Sequence, residues 1–523
     1  EIFKLSPEDV RAGLHCHEPR PLTWRSREPV LASRVKLDQR TGHLMLANVY
    51  HGRNMTGIQP GEIKELLVLE SLPKPINYTG GMDPLSYGGT FTLERILGTV
   101  PVEPDGSAYL EVPALRSLFF VALDQHGRSV KRMQSFLTVQ PGEVAGCVGC
   151  HEQRTQTPVN AQAIAAAQAF RRRPSQIQPM ADCPDVFDFP RDIQPILDRL
   201  CADCHGYTQT ARGGPYAGRI LLTGPRGPMF SHSYFTLTVR RLFSDGRNEP
   251  RSNYPPRALG SSASRILQML DGSHHGVQAS PHEQRTLRLW IESGASYPGT
   301  YAALGTGMIG GYAQNQQVHT DFDWPATRAA AEVVERRCAS CHHGQRRLPR
   351  ALSDEIDISF WRFDLNDPRL QFSRHILFNL DHPEQSLLLL APLAKAHGGF
   401  GICRPEAPSR AAPPDPAAPA DPPPFPNLSQ FPAQATPSAP AIFSSVTDPD
   451  YQALLAMVAA GKDYLANIKR FDMPGFRPRP EYVREMKRFG VLPLAFDENR
   501  AALDPYGADQ EYWKSLWHRP TSD

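Results

Sequence analysis

Six of the nine cysteines fall into three copies of the pattern C-x-x-C-H, in which two cysteines three positions apart are followed at once by a histidine. Two thiols at this spacing can add across the two vinyl groups of one haem, and the adjacent histidine can then bind the iron. The sequence therefore predicts three covalently bound c-type haems. Their candidate binding residues are Cys147, Cys150 and His151, then Cys201, Cys204 and His205, and then Cys338, Cys341 and His342.

Two other uses of paired cysteines fit this sequence less well. A thioredoxin-like redox site needs one C-x-x-C beside a βαβ pattern, and a structural zinc site pairs two such motifs roughly 15–20 residues apart. Here the motifs lie about 54 and about 137 residues apart, and each has its own histidine. Because c-type haem is attached outside the cytoplasm, we expect the protein in the periplasm or in another extracellular compartment, after removal of a signal peptide.

An electron-transfer haem usually has a second strong iron ligand, which is His or Met. For the haem at 201–205 we favour His275, which precedes a capped helix, and the neighbouring His274 is the close alternative. For the haem at 338–342 we favour His375. The candidates that stay open beside these are His382 and His397 for the third haem, and Met229, Met269 and Met308.

The elements around the motifs change character along the chain, which indicates an α+β protein of several domains. Short apolar or alternating runs separated by turns predict a β-sandwich-like domain over 1–160 that ends in the first motif. Helical patterns lead into the other two motifs, so we expect mainly α-helical, cytochrome c-like haem segments over 161–325 and 326–523. Between 405 and 440, 13 of the 51 prolines predict an extended surface strap.

Several helices have recognisable start signals. Ser6 precedes a proline and two acids, and Ser280-Pro281-His282-Glu283 forms a capping box with proline at the first helical position. Helical patterns also predict helices over 160–173, 449–469 and 479–489.

Charge and hydropathy narrow the classes of partner. The formal net charge is +2 and the pI is about 8.1, so there is no basic footprint for nucleic acid. No apolar run approaches the roughly 18 residues that a transmembrane helix needs. We expect other redox proteins or cytochrome subunits as partners, in an oligomer or a larger complex.

The stretch GTVPVEPDGSAYLEVPALRSLFFVALDQHGRSVKRMQSFLTVQPGEVAGCVGCHE resembles the hydrazine synthase alpha subunit family. The likeness covers the middle domain of that family, here about 20–160, and its C-terminal multihaem c-type cytochrome region. It implies an enzyme that makes hydrazine from nitric-oxide-derived hydroxylamine and ammonia. It also implies a β-propeller, for which this sequence has no counterpart, an unusual haem in the middle domain and one C-terminal bis-His haem. The motif at 338–342 is additional to that pair of haems.

The resemblance further implies a zinc ion beside the first haem. In the family, the motif histidine binds zinc together with an upstream cysteine, and a tyrosine four residues after that histidine binds the iron. Cys16 and His151 are the corresponding zinc candidates, while Thr155 stands at the position of the tyrosine and is a poor iron ligand. Additional zinc candidates nearby are His17, His43 and His51.

Cys183 and Cys403 flank the two helical haem segments, and we expect a disulfide between them in an oxidising compartment. For the function we favour a trihaem c-type cytochrome that transfers electrons as a subunit of a larger extracytoplasmic redox complex. One alternative is a haem enzyme, resembling hydrazine synthase, that acts on a small nitrogen species at the haem of 147–151. The other is a structural, haem-bearing assembly subunit.

Overall fold

The computed structural model describes residues 4–15, 23–24, 33, 35–76, 85–88, 92–150, 165–246, 253–305, 309, 320–359, 364–403 and 441–520. The zinc candidates Cys16 and His151 lie outside the described residues, as do Thr155, Met308 and the proline-rich strap at 405–440.

Seven strands form two sheets in the N-terminal part of the described chain. Their bounds are β1 Thr41–Asn48, β2 Ile63–Ser71, β3 Glu94–Pro101, β4 Ala108–Pro113, β5 Leu118–Asp124, β6 Ser129–Arg132 and β7 Val144–Gly149. One sheet has the order β4-β1-β7, in which β1 is antiparallel to β4 and parallel to β7. The other is antiparallel with the order β3-β2-β5-β6. The first six strands coincide with the expected apolar runs, whereas β7 contains part of the first motif and was not expected.

The two sheets share one hydrophobic core. Leu44 and Leu46 of β1 and Leu110 of β4 belong to the same cluster as Val68 of β2 and Ala122 of β5. Buried and partly buried residues alternate along β1, as they do in a strand with one covered face. This is the β-sandwich-like arrangement that the alternating runs predict.

The four-stranded sheet is also covered on its second face, by the helical part of the chain. Leu67 and Val121 join a large cluster that contains Phe189 and Trp290 and reaches Leu465. Because both faces of β2 are covered, its buried residues run nearly without interruption. One core therefore extends from the β domain through both helical segments.

The helices follow the sheets, with one exception at the N-terminus. Their bounds are α1 Pro7–Arg11, α2 Gln194–Leu200, α3 His232–Val239, α4 Arg265–Gln268, α5 Pro281–Glu292, α6 Pro325–Val333, α7 Arg374–Leu377, α8 Leu387–Leu390, α9 Pro449–Ile468, α10 Pro480–Arg488 and α11 Pro505–Ser515. The protein is thus α+β, as predicted. Within the part that the structure describes, no helix is long and apolar enough to cross a membrane.

The local helix signals are confirmed in most cases. The capping boxes of Ser6 and Ser280 are formed, and α9 and α10 match the predicted bounds within about one residue. The predicted helix at 160–173 is different, because its described end contains a short 3-10 helix at Gln168–Arg171. Helix α11 was not predicted.

The C-terminal helices α10 and α11 pack against the β domain. Trp513 of α11 is almost fully buried, donates a hydrogen bond from Nε1 to the carbonyl of Pro73 at 3.1 Å, and lies 5.1 Å from the Arg95 guanidinium. Tyr482 of α10 donates to Asp509 at 2.7 Å. The end of the chain thereby holds the N-terminal sheet against the helical part.

Candidate haem sites

The second motif begins where α2 ends. A turn of π-helix at Phe189–Ile193 leads into α2, and Cys201 caps its C-terminus by donating its N–H to the carbonyl of Leu197. The N–H groups of Cys204 and His205 then bond to the carbonyl of Cys201, at 3.2 and 2.9 Å. This tight turn brings the two cysteines and the histidine together.

One ring nitrogen of His205 is held by the backbone. Its Nδ1 lies 2.9 Å from the carbonyl oxygen of Ala217, and a carbonyl can only accept, so Nδ1 carries the proton. Burial lowers the pKa of His205, which favours the neutral ring. The lone pair is therefore left on Nε2. Metal-binding histidines are commonly oriented by such a bond from the other ring nitrogen.

A second imidazole lies near His205 at a separation compatible with a shared metal ion. The ring of His274 lies with its centroid 6.1 Å from that of His205, and the two rings are within 10° of parallel. Two imidazoles on opposite sides of one metal ion have centroids about 6 Å apart, because each metal–nitrogen bond is about 2.0–2.1 Å. The motif cysteines and these two histidines thus fit a haem with two histidine ligands.

The structure distinguishes between the two neighbouring histidines at this site. His275, which the sequence favoured, is exposed and has a left-handed backbone with φ of 49°, while the half-buried His274 faces the motif histidine. The His274 and His275 rings meet nearly edge-on, with centroids 4.8 Å apart. His274, which the sequence left as the alternative, is thus the histidine whose ring lies parallel to that of His205, and the choice between His275 and His274 as the second ligand stays a prediction.

The third motif repeats the local geometry of the second. Helix α6 continues into a turn of π-helix at Val334–Cys338, and the N–H groups of Cys341 and His342 bond to the carbonyl of Cys338. Nδ1 of His342 donates to the carbonyl of Arg346 at 3.1 Å. The motif residues again fit a covalent haem whose first ligand is His342.

His375, the expected second ligand of this haem, lies in an aromatic cluster. Its ring is 5.0 Å from Phe235, 5.6 Å from Tyr87 and 5.8 Å from Phe230, measured between centroids. His342 instead meets Phe372 at 5.3 Å. The assignment of His375 as an iron ligand stays a prediction.

The first cysteine of the second motif and the first cysteine of the third motif are each largely buried. Burial raises the pKa of Cys201 to about 12 and that of Cys338 to about 11. A thioredoxin-like site or a zinc site needs a thiolate, which a lowered pKa would favour. These raised values agree with thiols that serve as haem anchors.

The expected disulfide between Cys183 and Cys403 is not formed. Both are free thiols, and burial together with the neighbouring Cys341 raises the pKa of Cys403 to about 11. The segment that ends at Cys403 therefore lies beside the third motif, whereas Cys183 packs at the edge of the large core.

The first motif has a different local structure. Cys147 is on β7, paired in register with Leu46 of β1, and the N–H of Cys150 bonds to the carbonyl of His51 at 2.7 Å. Cys147 and Cys150 are partly buried and pack against the core of the sandwich. The first haem would therefore be attached to a strand rather than to the end of a helix. No cluster of three metal-binding side chains occurs among the residues described, which include neither Cys16 nor His151.

The N-terminal domain, with its strand-borne motif, is similar to a known protein family. Residues 61–152 match the family model described as the hydrazine synthase alpha subunit middle domain. This match confirms the resemblance to that family that the sequence showed.

A comparison with solved structures finds the hydrazine synthase of Kuenenia stuttgartiensis, at 18% sequence identity and a TM-score of 0.36. The match covers 50% of this chain and 44% of that chain, so the protein spans less than half of its relative. A comparison with curated proteins finds no match.

Proposed function

We propose that the protein is a multihaem c-type cytochrome of the hydrazine synthase alpha type, in which the haems of the second and third motifs transfer electrons. The observation that carries this proposal is the parallel pair of rings formed by His205, which directly follows Cys204, and His274. A haem bound there would supply a one-electron iron couple. Two strong histidine ligands would leave no open position for a substrate, which suits electron transfer rather than catalysis.

The residues of the chain have distinct roles in this proposal. Cys201 and Cys204 anchor the cofactor, while the Ala217 carbonyl orients His205. The carbonyl of Arg346 does the same for His342. Held by these bonds, His205 and His342 would keep their orientation when a bound haem changed its charge, which would suit electron transfer.

A stacked aromatic pair connects the surroundings of the two helical motifs. Tyr216 directly precedes Ala217, the residue that orients His205, and its ring stacks on Phe400 with centroids 5.6 Å apart and planes within 13°. Phe400 belongs to the segment that ends at Cys403 beside the third motif. This contact supports a short route for electrons between the two haems.

Two matched variants test the proposal. In the oxidised holoprotein, His274→Ala should convert one of three haems from the low-spin to the high-spin form, while His275→Ala should leave the spectrum unchanged. Optical and electron paramagnetic resonance spectra measure the change, and the protein mass counts the haems that remain attached. A wild-type protein without haem at Cys201 and Cys204 would refute the proposal, as would an unchanged spectrum of His274→Ala.

A second candidate function is chemistry on a small nitrogen compound at the first haem. It is favoured by the family match over 61–152, which includes Cys147 and Cys150, and by their attachment to a strand. Under either function, we propose three c-type haems, a zinc ion at Cys16 and His151, an extracytoplasmic location and other redox subunits as partners. Binding of nitric oxide to the haem of Cys147 and Cys150 in the reduced wild-type protein would support this chemistry, and a six-coordinate low-spin iron there would refute it.

A further inference from the structure

Within the described residues, the two helical haem segments share a series of helices in the same order. Each has a helix that leads into the motif, then a serine-capped helix, a second short helix that follows a serine, a loop, and a longer helix. The corresponding pairs are α2 and α6, α3 and α7, α4 and α8, and α5 and α9. The serines are Ser231 and Ser373, followed by Ser264 and Ser386. The repeat thus extends well beyond the motifs themselves.

The loop of the first repeat contains the histidine that faces the motif. His274 follows Arg265, the first residue of α4, by nine positions, and His397 follows Leu387, the first residue of α8, by ten. Both loops then bond back near their short helix: the N–H of Ala279 bonds to the carbonyl of Leu270, two residues after α4, and the N–H of Phe400 to that of Leu390, the last residue of α8. By order and spacing, His397, which ends a 3-10 helix at Lys395–His397, is the counterpart of His274.

The loop of His397 also lies against the third motif. Arg337, directly before Cys338, donates to the carbonyl of Ile442 at 2.6 Å and covers the ring of Phe443 at 5.4 Å. Phe443 forms a parallel β-bridge with Leu393, and its carbonyl accepts a hydrogen bond from the N–H of Ala394 at 2.9 Å. The loop therefore begins beside the motif helix, and it ends at Cys403 near Cys341.

His375 occupies a different place in the repeat. Helix α7 corresponds to α3, the two helices contact each other, and His375 lies between Phe235 of α3 and Glu355. It is fully buried, and its Nε2 lies 3.7 Å from the Glu355 carboxylate, and this burial makes it the main rival of His397 as the second ligand. His375 therefore lies where the two repeats contact each other. In the first repeat, the proposed ligand His274 lies in a loop instead.

We propose that His397, and not His375, is the second iron ligand of the haem at Cys338 and Cys341. This assignment rests on the proposed function, since it requires a haem at the third motif. It makes the third site a repeat of the second, with His342 and His397 in the roles of His205 and His274.

Variants of the full-length holoprotein test the assignment. In His397→Ala, one haem should change from low-spin to high-spin, the reduced protein should bind one carbon monoxide more per chain than the wild type, and added imidazole should restore the low-spin spectrum. His375→Ala should match the wild type in both measurements. Because His397 is exposed, its removal should leave the far-ultraviolet circular dichroism unchanged.

The outcomes separate the ligand assignment from the proposed function. If His375→Ala gains the extra carbon monoxide and His397→Ala does not, the assignment is wrong and the haem is still present. The mass of a peptide that contains Cys338 and Cys341 reports on the haem itself. A peptide without haem in the wild-type protein would overturn the proposed function at this motif and the assignment with it.

Discussion

A buried ion pair joins the two helical haem segments, and its removal should strongly destabilise the protein. Asp472 accepts two hydrogen bonds from Arg470 at 2.8 Å and one from Tyr297 at 3.0 Å, and it lies 3.5 Å from Arg226. Arg470 also donates to the carbonyl of Gly227 at 2.9 Å. The side chains of Asp472 and Arg470 are only 2% and 3% exposed, so water does not screen the pair.

Asp472→Asn removes the negative charge and leaves Arg470 buried without a counter-charge. Breaking a buried pair in this way costs about 3–5 kcal/mol, and about 3 kcal/mol already corresponds to an increase of roughly a hundredfold in the unfolding equilibrium constant. Urea unfolding of the holoprotein, followed by circular dichroism, measures the shift of the midpoint. The control is Asp497→Asn, whose partner Arg500 is 88% exposed and whose loss should cost less than about 0.5 kcal/mol.

The double variant Arg470→Met/Asp472→Leu tests the cause. If the uncompensated charge is responsible, the double variant should be more stable than Asp472→Asn, because it buries no charge. Burial alone would raise the pKa of Asp472, but Arg470 and Arg226 hold it below the usual value. The contribution of the pair should therefore be present at neutral pH and be lost as the pH falls through that lowered pKa. Equal midpoints for Asp472→Asn and Asp497→Asn would refute the reasoning.

Three further predictions concern parts of the chain that position the haem segments. Burial raises the pKa of Asp509 to about 6, so its ionisation should cost the wild type about 3 kcal/mol as the pH rises from about 4 to above 6. In Asp509→Asn, the urea midpoint should differ less between pH 4.5 and pH 7.5 than it does in the wild type. An equal difference in both proteins would show that Asp509 does not cause it. Trp513→Ala should cost about 3–5 kcal/mol and should expose α10 and α11 to limited proteolysis, whereas resistance equal to that of the wild type would argue against the packing. Ser280→Ala should lower the stability by about 1 kcal/mol through loss of the bonds to Glu283, and the urea midpoint should stay the same if the cap contributes nothing.

Features that depend on neighbouring residues could be predicted from the sequence. The capping boxes at Ser6 and Ser280 and the bounds of α9 and α10 follow from signals within a few positions of each helix end, and the structure has them. The alternating runs predicted β1 to β6 for the same reason. The first motif was not recognised as part of β7, because CVGCH has no strand periodicity and its parallel partner β1 lies about a hundred residues earlier.

The candidate anchoring residues of each proposed haem follow from the sequence alone, since two thiols and a histidine within five positions are held together by the covalent chain. The second ligands were not, because they come from loops distant in sequence. The sequence could place a histidine near each motif, but only the fold set the ring of His274 parallel to that of His205. Likewise, only the packing of α7 against α3 placed His375 between the repeats and left His397 in the loop beside the third motif. Contacts of this kind depend on how separate elements pack, and the order of residues along the chain does not encode them locally.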